Sequence, residues 1–221
     1  MKLQKMASQS LVTFFTMAFS YAALAQDVTL NIVDQHGQPL KNAVVELVSE
    51  EDSKFKASQH LPVLIMDQID KQFSPTLLIA HQGQQVNFPN SDNIRHHVYS
   101  FSPAKPFQLK LYSGQPESPL TFENQGVVVL GCNIHDSMLG YIYVAGSSHV
   151  YQSDEQGNVQ LSDLTLPSQL SLWHSLQQNA LEEKQLLALP VNSSRSLQVT
   201  IQTLEPKPRN TFGSKFKGGN D

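Results

Sequence analysis

The sequence predicts an all-β fold, a β-sandwich with an additional C-terminal β-rich unit. Short segments alternate between apolar and polar residues, which is typical of strands with one face in a core. Twelve prolines and eleven glycines interrupt these segments and favour many short strands over long helices. The 221 residues, 40% of them hydrophobic, are enough for one large or two small globular domains.

The strands follow from these patterns in chain order. Residues 28–34 and 43–48 flank a turn at 35–39, and together they predict a β-hairpin. The polar segment 50–59 predicts an exposed loop, and the Leu/Gln/Glu-rich segment 177–189 predicts a short helix or a loop. Further strands are predicted for the short apolar or alternating runs at 63–67, 76–80, 85–88, 97–101, 107–112, 126–130, 140–144, 159–164, 170–174 and 196–204.

One pair of these strands encloses an unusual loop. Residues 126–130 are almost continuously apolar, which predicts a strand buried on both faces. This run leads directly into Gly131 and Cys132, and the alternating strand 140–144 begins a few residues later. We therefore expect two strands to hold both ends of the loop, which is the support that a preorganised site needs.

The beginning of the chain predicts export. Within residues 1–25, Lys2 and Lys5 precede an apolar stretch too short for a comfortable membrane span, which ends in Ala-Leu-Ala, a small-residue cleavage pattern. The mature chain is then expected to lie in the periplasm, with no membrane span of its own. The regions predicted after the signal are a main domain, a C-terminal β-rich unit and a disordered tail, at residues 26–145, 146–204 and 205–221.

The charge of the chain argues against nucleic acid as a partner. The formal net charge is −4. Removal of residues 1–25 takes away two lysines and no acidic residue, which leaves a net charge of −6. A mildly acidic exported protein is a poor candidate for binding nucleic acid.

The only cysteine, Cys132, lies in the enclosed loop with His135 and Met138, in the spacing Cys-x2-His-x2-Met. A thiolate, an imidazole and a thioether together suit copper, and a trigonal Cys/His/His site with a weak axial Met is a blue-copper centre. A lone thiol in an oxidising compartment also needs either burial or a metal. A buried structural cysteine is the alternative interpretation.

A second imidazole has to come from elsewhere in the fold. The best candidates are His96 and His97, which follow an Asn-x-Asp segment, Asn90 to Asp92. Neighbouring side chains of a strand face opposite ways, so only one of the two should face a metal. Val98 shares a face with His96 and suits a core position, while His97 stays open as an alternative ligand.

These segments resemble the cupredoxin family, including plastocyanin, pseudoazurin and especially amicyanin. The shared features are a first histidine after a V-x-F-x-N-x-D-like strand and a Cys-x2-His-x2-Met loop followed by a Gly-x-Val-x-Val-like strand, here Gly140 to Val144. The chain also resembles longer exported proteins labelled methylamine utilisation proteins. Those share the sequence His-His-Val-Tyr-Ser-Phe-Ser at 96–102 and Leu-Gly-Cys-Asn-Ile-His-Asp at 130–136.

The resemblance implies a Greek-key β-sandwich at residues 26–145 that holds one type 1 copper ion. Carried over residue by residue, it implies as ligands His96, Cys132, His135 and Met138. Two positions depart from the simple cupredoxins. His97 stands where they usually have an Asn that braces the loop beside the Cys, and Asp136 follows the exposed histidine where their docking surfaces are usually apolar.

Three functions are compatible with these features. The first is a type 1 copper protein that carries single electrons between a redox donor and a redox acceptor, both unidentified, and that is not an enzyme. The second is a periplasmic copper-binding or copper-delivery module without electron transfer, and the third is a β-sandwich interaction protein without metal. The sequence contains no Gly-x-Ser-x-Gly motif of hydrolases, no glycine-rich phosphate-binding loop and no His-Glu-x-x-His zinc-binding motif.

The C-terminal unit is compatible with an additional role in binding a partner, because a protein that only carries electrons does not need this unit. This unit is similar to carboxypeptidase regulatory-like and transthyretin-like β-sandwich modules, and residues 28–48 have a similar pattern.

Overall fold

The structure, a computed structural model, describes residues 25–48, 61–135, 137–165, 168–190 and 193–204. Its regular elements there are all strands, so the predicted all-β class is confirmed. Within these ranges no helix has the length and apolarity to cross a membrane. Residues 1–24 of the export signal predicted for 1–25, the predicted loop 50–59 and the predicted tail 205–221 lie outside the described residues.

Seventeen strands are formed by the described residues. In chain order they are β1 (Ala25–Val33), β2 (Val44–Val48), β3 (Leu64–Ile65), β4 (Asp67–Ile69), β5 (Gln72–Ser74), β6 (Leu77–His81), β7 (Gln85–Asn87), β8 (His96–Ser100), β9 (Phe107–Tyr112), β10 (Leu120–Thr121), β11 (Gly126–Gly131), β12 (Leu139–Ala145), β13 (Val150–Gln152), β14 (Asn158–Thr165), β15 (Ser168–Trp173), β16 (Gln185–Leu189) and β17 (Ser196–Thr200).

The strands form two β-sandwiches, one inserted into the other. The inserted unit (residues 61–145) contains a five-stranded sheet in the order β6-β12-β11-β8-β9, a three-stranded sheet β10-β7-β3 and the small hairpin β4-β5. The flanking unit (residues 25–48 and 150–204) contains a three-stranded sheet β14-β1-β17 and a four-stranded sheet β13-β2-β15-β16. The chain therefore enters the flanking unit, leaves it to build the inserted unit and then returns.

This pairing divides the chain differently from the predicted regions 26–145 and 146–204. Strands β1 and β2 form where the sequence predicts strands, but they do not pair with each other as a hairpin. Strand β1 lies between β14 and β17, and β2 lies between β13 and β15. After the turn at 35–39, where Gly37 has a φ of 77°, the chain crosses from one sheet of the sandwich to the other.

The segment 177–189 ends in a strand, not a helix. Residues Gln185–Leu189 form β16, which pairs antiparallel with β15. Burial alternates along β16, and Leu189 is buried while Leu186 is exposed. A period of two is the strand period, so the apolar alternation prevails over the helical composition of this segment.

The two strands that enclose the loop, β11 and β12, pack into a core on each of their faces. Val128 and Leu130 of β11 face the core of the inserted unit, together with Ile142 of β12. The opposite face of these two strands contributes Val127 and Tyr143 to a second core, which is completed by residues of the flanking unit, Val44 and Trp173. Burial on both faces, as predicted for 126–130, is confirmed at Val127, Val128 and Leu130, and the loop follows directly after this strand.

Candidate metal centre

Two neighbouring antiparallel strands, β8 and β11, bring the upstream histidines to the cysteine loop. Gly131, the last residue of β11, pairs with Tyr99 of β8. Cys132 continues the inward-facing series of β11 and is buried with 3% exposure. His96 begins β8 on the same inward side and is completely buried. Strand alternation therefore puts one buried imidazole beside the buried thiol.

The loop after Cys132 folds back so that its later residues return to the core. The backbone N–H of Met138 donates to the carbonyl of His135 at 2.9 Å and closes a tight turn. Met138 is completely buried and belongs to the same core cluster as Cys132. Asp136, one of the two positions at which the sequence departs from the simple cupredoxins, lies outside the described residues.

The glycines at the two ends of this loop allow close packing. A Cβ on Gly131 would lie 2.8 Å from Cζ of Tyr99, and a Cβ on Gly140 would lie 2.8 Å from Cβ of Phe73. Real Cβ atoms do not tolerate such distances, so aromatic residues cover the backbone at both places. The backbone therefore approaches an aromatic side chain closely at both glycines.

Three potential ligand atoms converge at this place. The donor atoms of His96, Cys132 and His135 all lie within 4.8 Å of one another. Cys132 Sγ is 3.7 Å from His96 Nδ1, and the two imidazole rings have their centroids 5.1 Å apart. Nδ1 of His135 is buried and has no hydrogen-bond partner among the described residues. A buried nitrogen without a partner is unfavourable unless something else binds it.

These distances fit a metal ion between the donors. Bonds of about 2.3 Å to sulfur and about 2.0 Å to nitrogen, the values for zinc, place the two donors about 3.5–3.7 Å apart at trigonal or tetrahedral angles. The observed separation of 3.7 Å between Cys132 Sγ and His96 Nδ1 agrees with this range. The site therefore needs little rearrangement of these two side chains to accept a metal.

His97 lies on the other face of β8. Its Nε2 is 3.1 Å from Nε2 of Gln108 on β9, and its ring meets the edge of Tyr99 with 6.5 Å between centroids. The cluster of converging donors contains His96 and not His97. The geometry thus favours His96 over the alternative that the sequence leaves open.

A carboxylate that is not among the predicted ligands contacts the buried imidazole. Oδ2 of Asp92 is 2.6 Å from Nε2 of His96. The same carboxylate accepts the backbone N–H of Asp70 at 2.7 Å and of Lys71 at 3.0 Å. Burial raises the pKa of Asp92, but the hydrogen bonds from Lys71, His96 and Asp70 outweigh it and hold the pKa below its usual range. In the sequence, Asp92 is the last residue of the Asn-x-Asp segment and lies four residues before His96.

The segment that carries Asp92 is itself fixed. The side-chain amide of Asn90 donates to the carbonyls of Ile94 at 2.9 Å and of Tyr112 at 2.8 Å, and its oxygen accepts the N–H of Asp92 at 3.1 Å. The approach to His96 is therefore held by hydrogen bonds on both sides, as a preorganised site requires.

Solved structures that resemble this chain are cupredoxins, which is the family that its sequence motifs resemble. A Cu-containing nitrite reductase from Thermus scotoductus matches at 26% identity with a TM-score of 0.36; the match covers 45% of this chain and 25% of that protein. An amicyanin point mutant in the oxidised state matches at 18% identity with a TM-score of 0.34, over 45% of this chain and 97% of amicyanin. A purple cupredoxin from Nitrosopumilus maritimus matches at 22% identity with a TM-score of 0.32, over 37% of this chain and 96% of that protein.

This chain thus spans a quarter of the length of the nitrite reductase. No protein-family model matches the chain, and no curated protein sequence matches it. The resemblance to methylamine utilisation proteins stays a prediction.

Proposed function

We propose that this chain is an exported type 1 copper protein that carries single electrons between redox partners. The observation that carries the proposal is the convergence of His96, Cys132 and His135, whose donor atoms lie within 4.8 Å of one another. One thiolate and two imidazoles, with the thioether of Met138 in the same core, are the donors of a blue-copper site. We propose that these four residues bind one copper ion.

The burial of the donors favours electron transfer over copper delivery. Copper in such a site alternates between Cu(II) and Cu(I), and so accepts and releases one electron at a time. His96 and Met138 are completely buried, and strands β11 and β12 hold both ends of the loop. A rigid donor set keeps the same arrangement in both oxidation states, whereas a delivery module needs ligands that solvent and partners can reach.

His135 is the proposed place where the electron enters and leaves. It is the only half-buried member of the three converging residues, and its neighbour Ile134 is 47% exposed. A redox donor and acceptor, both still to be identified, would contact this surface. In this proposal the protein is a carrier and not an enzyme.

The proposed compartment is the periplasm. Residues 1–25 carry the predicted export signal, and Cys132, a free and buried cysteine, would be protected by the metal against oxidation. This localisation is tested by following the processed chain in fractionated cells.

Copper titration tests the proposal. Adding Cu(II) to the full chain should produce an intense visible sulfur-to-copper charge-transfer band that saturates at one copper per chain. Reduction should bleach the band, and reoxidation should restore it. A chain that stays colourless and binds Cu(II) weakly would contradict the proposal, and a colourless chain that passes Cu(I) to a chelator would favour copper delivery.

Paired histidine variants test the choice of upstream ligand. His96→Ala should remove or strongly shift the band, because it deletes the buried nitrogen 3.7 Å from the thiol. His97→Ala should leave the band unchanged, since His97 lies beside Gln108 on the opposite face of β8. Absorption spectra of the two copper-loaded variants provide the measurement, and the opposite pattern would assign the ligand to His97.

A further inference from the structure

The hydrogen bond between Asp92 and His96 decides which nitrogen of His96 faces the thiol. An ionised carboxylate only accepts hydrogen bonds. Asp92 already accepts two backbone N–H groups, from Asp70 and Lys71, so its oxygens act as acceptors here. Nε2 of His96, 2.6 Å away, is therefore the donor and carries the ring proton. Nδ1 then keeps its lone pair, and this is the atom 3.7 Å from Cys132 Sγ.

The carboxylate is held in this position by a neighbouring turn. Asp70 and Lys71 form the turn between β4 and β5, and both have positive φ values, 52° and 60°. This left-handed conformation points their two N–H groups at Asp92. The side chain of Asp92 is 12% exposed, so water competes little for these bonds. The turn thus holds the carboxylate, and the carboxylate holds the imidazole.

We infer that Asp92 is a positioning residue that fixes the orientation and tautomer of His96 and adds negative charge behind the metal site. The inference rests on the proposed copper function. Carboxylates that accept a proton from a ligating histidine orient the ring and make it a stronger donor. A negative charge near the site also stabilises Cu(II) more than Cu(I), so Asp92 lowers the reduction potential.

Two substitutions separate the hydrogen bond from the charge. Asp92→Asn retains an acceptor oxygen but removes the charge, and Asp92→Ala removes both. We expect Asp92→Ala to weaken Cu(II) binding by about 10–100-fold, the usual effect of losing such a partner. We expect Asp92→Asn to retain the visible band and to raise the reduction potential, by about 59 mV for each tenfold selective loss of Cu(II) affinity.

Asp67→Asn is the matched control. Asp67 lies on the same hairpin as the turn at Asp70, and its substitution by asparagine removes one negative charge, as Asp92→Asn does. Its carboxylate does not contact His96 but accepts the hydroxyl of Ser91, with 2.8 Å between Oδ2 and Oγ. This control should keep the affinity and potential of the unmodified chain. If both Asp92 variants behave like Asp67→Asn, the inference is overturned.

A measurement on the unmodified chain needs neither an Asp92 variant nor copper. Long-range 1H–15N NMR spectra of the metal-free full chain, with His96 assigned by comparison with His96→Ala, report the tautomer of the ring. We expect a proton on Nε2, and a proton on Nδ1 would overturn the inference even if every Asp92 variant failed to fold. The absence of a visible band in the copper-loaded unmodified chain would instead contradict the proposed function.

Discussion

Replacing Cys132 with serine should give a folded chain that develops no visible charge-transfer band with Cu(II). The band requires a thiolate bonded to copper, and a hydroxyl is a harder and far weaker donor for this metal. The two side chains are close in size, and the serine hydroxyl can donate to His96 Nδ1, which lies 3.7 Å from Sγ in the structure. We therefore expect the fold to persist while the colour is lost completely.

Absorption spectra after Cu(II) addition measure this effect, and circular dichroism of the metal-free variant checks the fold. Ser137→Ala is the control in the same loop, because the Ser137 side chain is exposed. It should retain the band at full intensity. A visible band of unchanged intensity in Cys132→Ser would show that the thiol is not a ligand.

The positions of individual strands and of the loop between β11 and β12 could be predicted from the sequence, because they depend on the pattern of apolar and polar residues within each segment. The run 107–112 alternates apolar and polar residues and forms β9 with the predicted bounds. The loop from Cys132 to Met138 lies between β11 and β12 as expected, since both strands are evident from their apolar residues. The proximity of His96 to Cys132 is not a local feature, because it depends on the pairing of β8 with β11, and in the sequence only the resemblance to cupredoxins implies it.

The non-local part could not be predicted in the same way. A turn at 35–39 between two strands is compatible with a hairpin and with a crossing between two sheets, and the local sequence does not distinguish them. The partners of β1 are β14 and β17, more than a hundred residues later in the chain. These distant strands build the core of the flanking unit together with β1, and Leu30 and Val159 both belong to that core.

The contact of Asp92 with His96 could not be predicted from the sequence for a related reason. Its position depends on the turn at Asp70 and Lys71, which lies on a separate hairpin. An Asp in a polar segment such as Asn90 to Asp92 is usually exposed, so only the tertiary structure reveals that this carboxylate has a buried partner.

The interface between the two units contains a buried carboxylate whose loss should strongly destabilise the protein. Glu46 of β2 is 4% exposed, and its Oε1 accepts the backbone N–H groups of Gly146 at 2.6 Å and Ser147 at 2.9 Å. Its Oε2 accepts the Tyr143 hydroxyl and the Lys184 ammonium, each at 2.7 Å. The carboxylate of one unit thus binds the end of β12 of the other.

Glu46→Ala should lower the free energy of unfolding by about 3 kcal/mol, because removing one partner of a buried ion pair leaves the other uncompensated. The two backbone N–H groups and the Tyr143 hydroxyl lose their acceptor as well. Urea unfolding followed by the fluorescence of Trp173, the only tryptophan, gives the measurement. Trp173 packs against Tyr143 in the core between the units, so its emission reports on this interface.

The control and the pH dependence distinguish this interpretation from a general loss of charge. Glu155→Ala removes the partner of Lys41 in an exposed pair and should cost less than about 1 kcal/mol. Burial raises the pKa of Glu46, but the Lys184 ammonium and the other hydrogen-bond donors outweigh this effect and hold the pKa below its usual range. The stability from Glu46 is therefore fully present above the pKa of a glutamate in the unfolded chain and is lost as the pH falls through the lowered pKa of the folded state. The difference between the unmodified chain and Glu46→Ala should shrink over this acidic range, and a difference that stays constant would contradict the assigned role of Glu46.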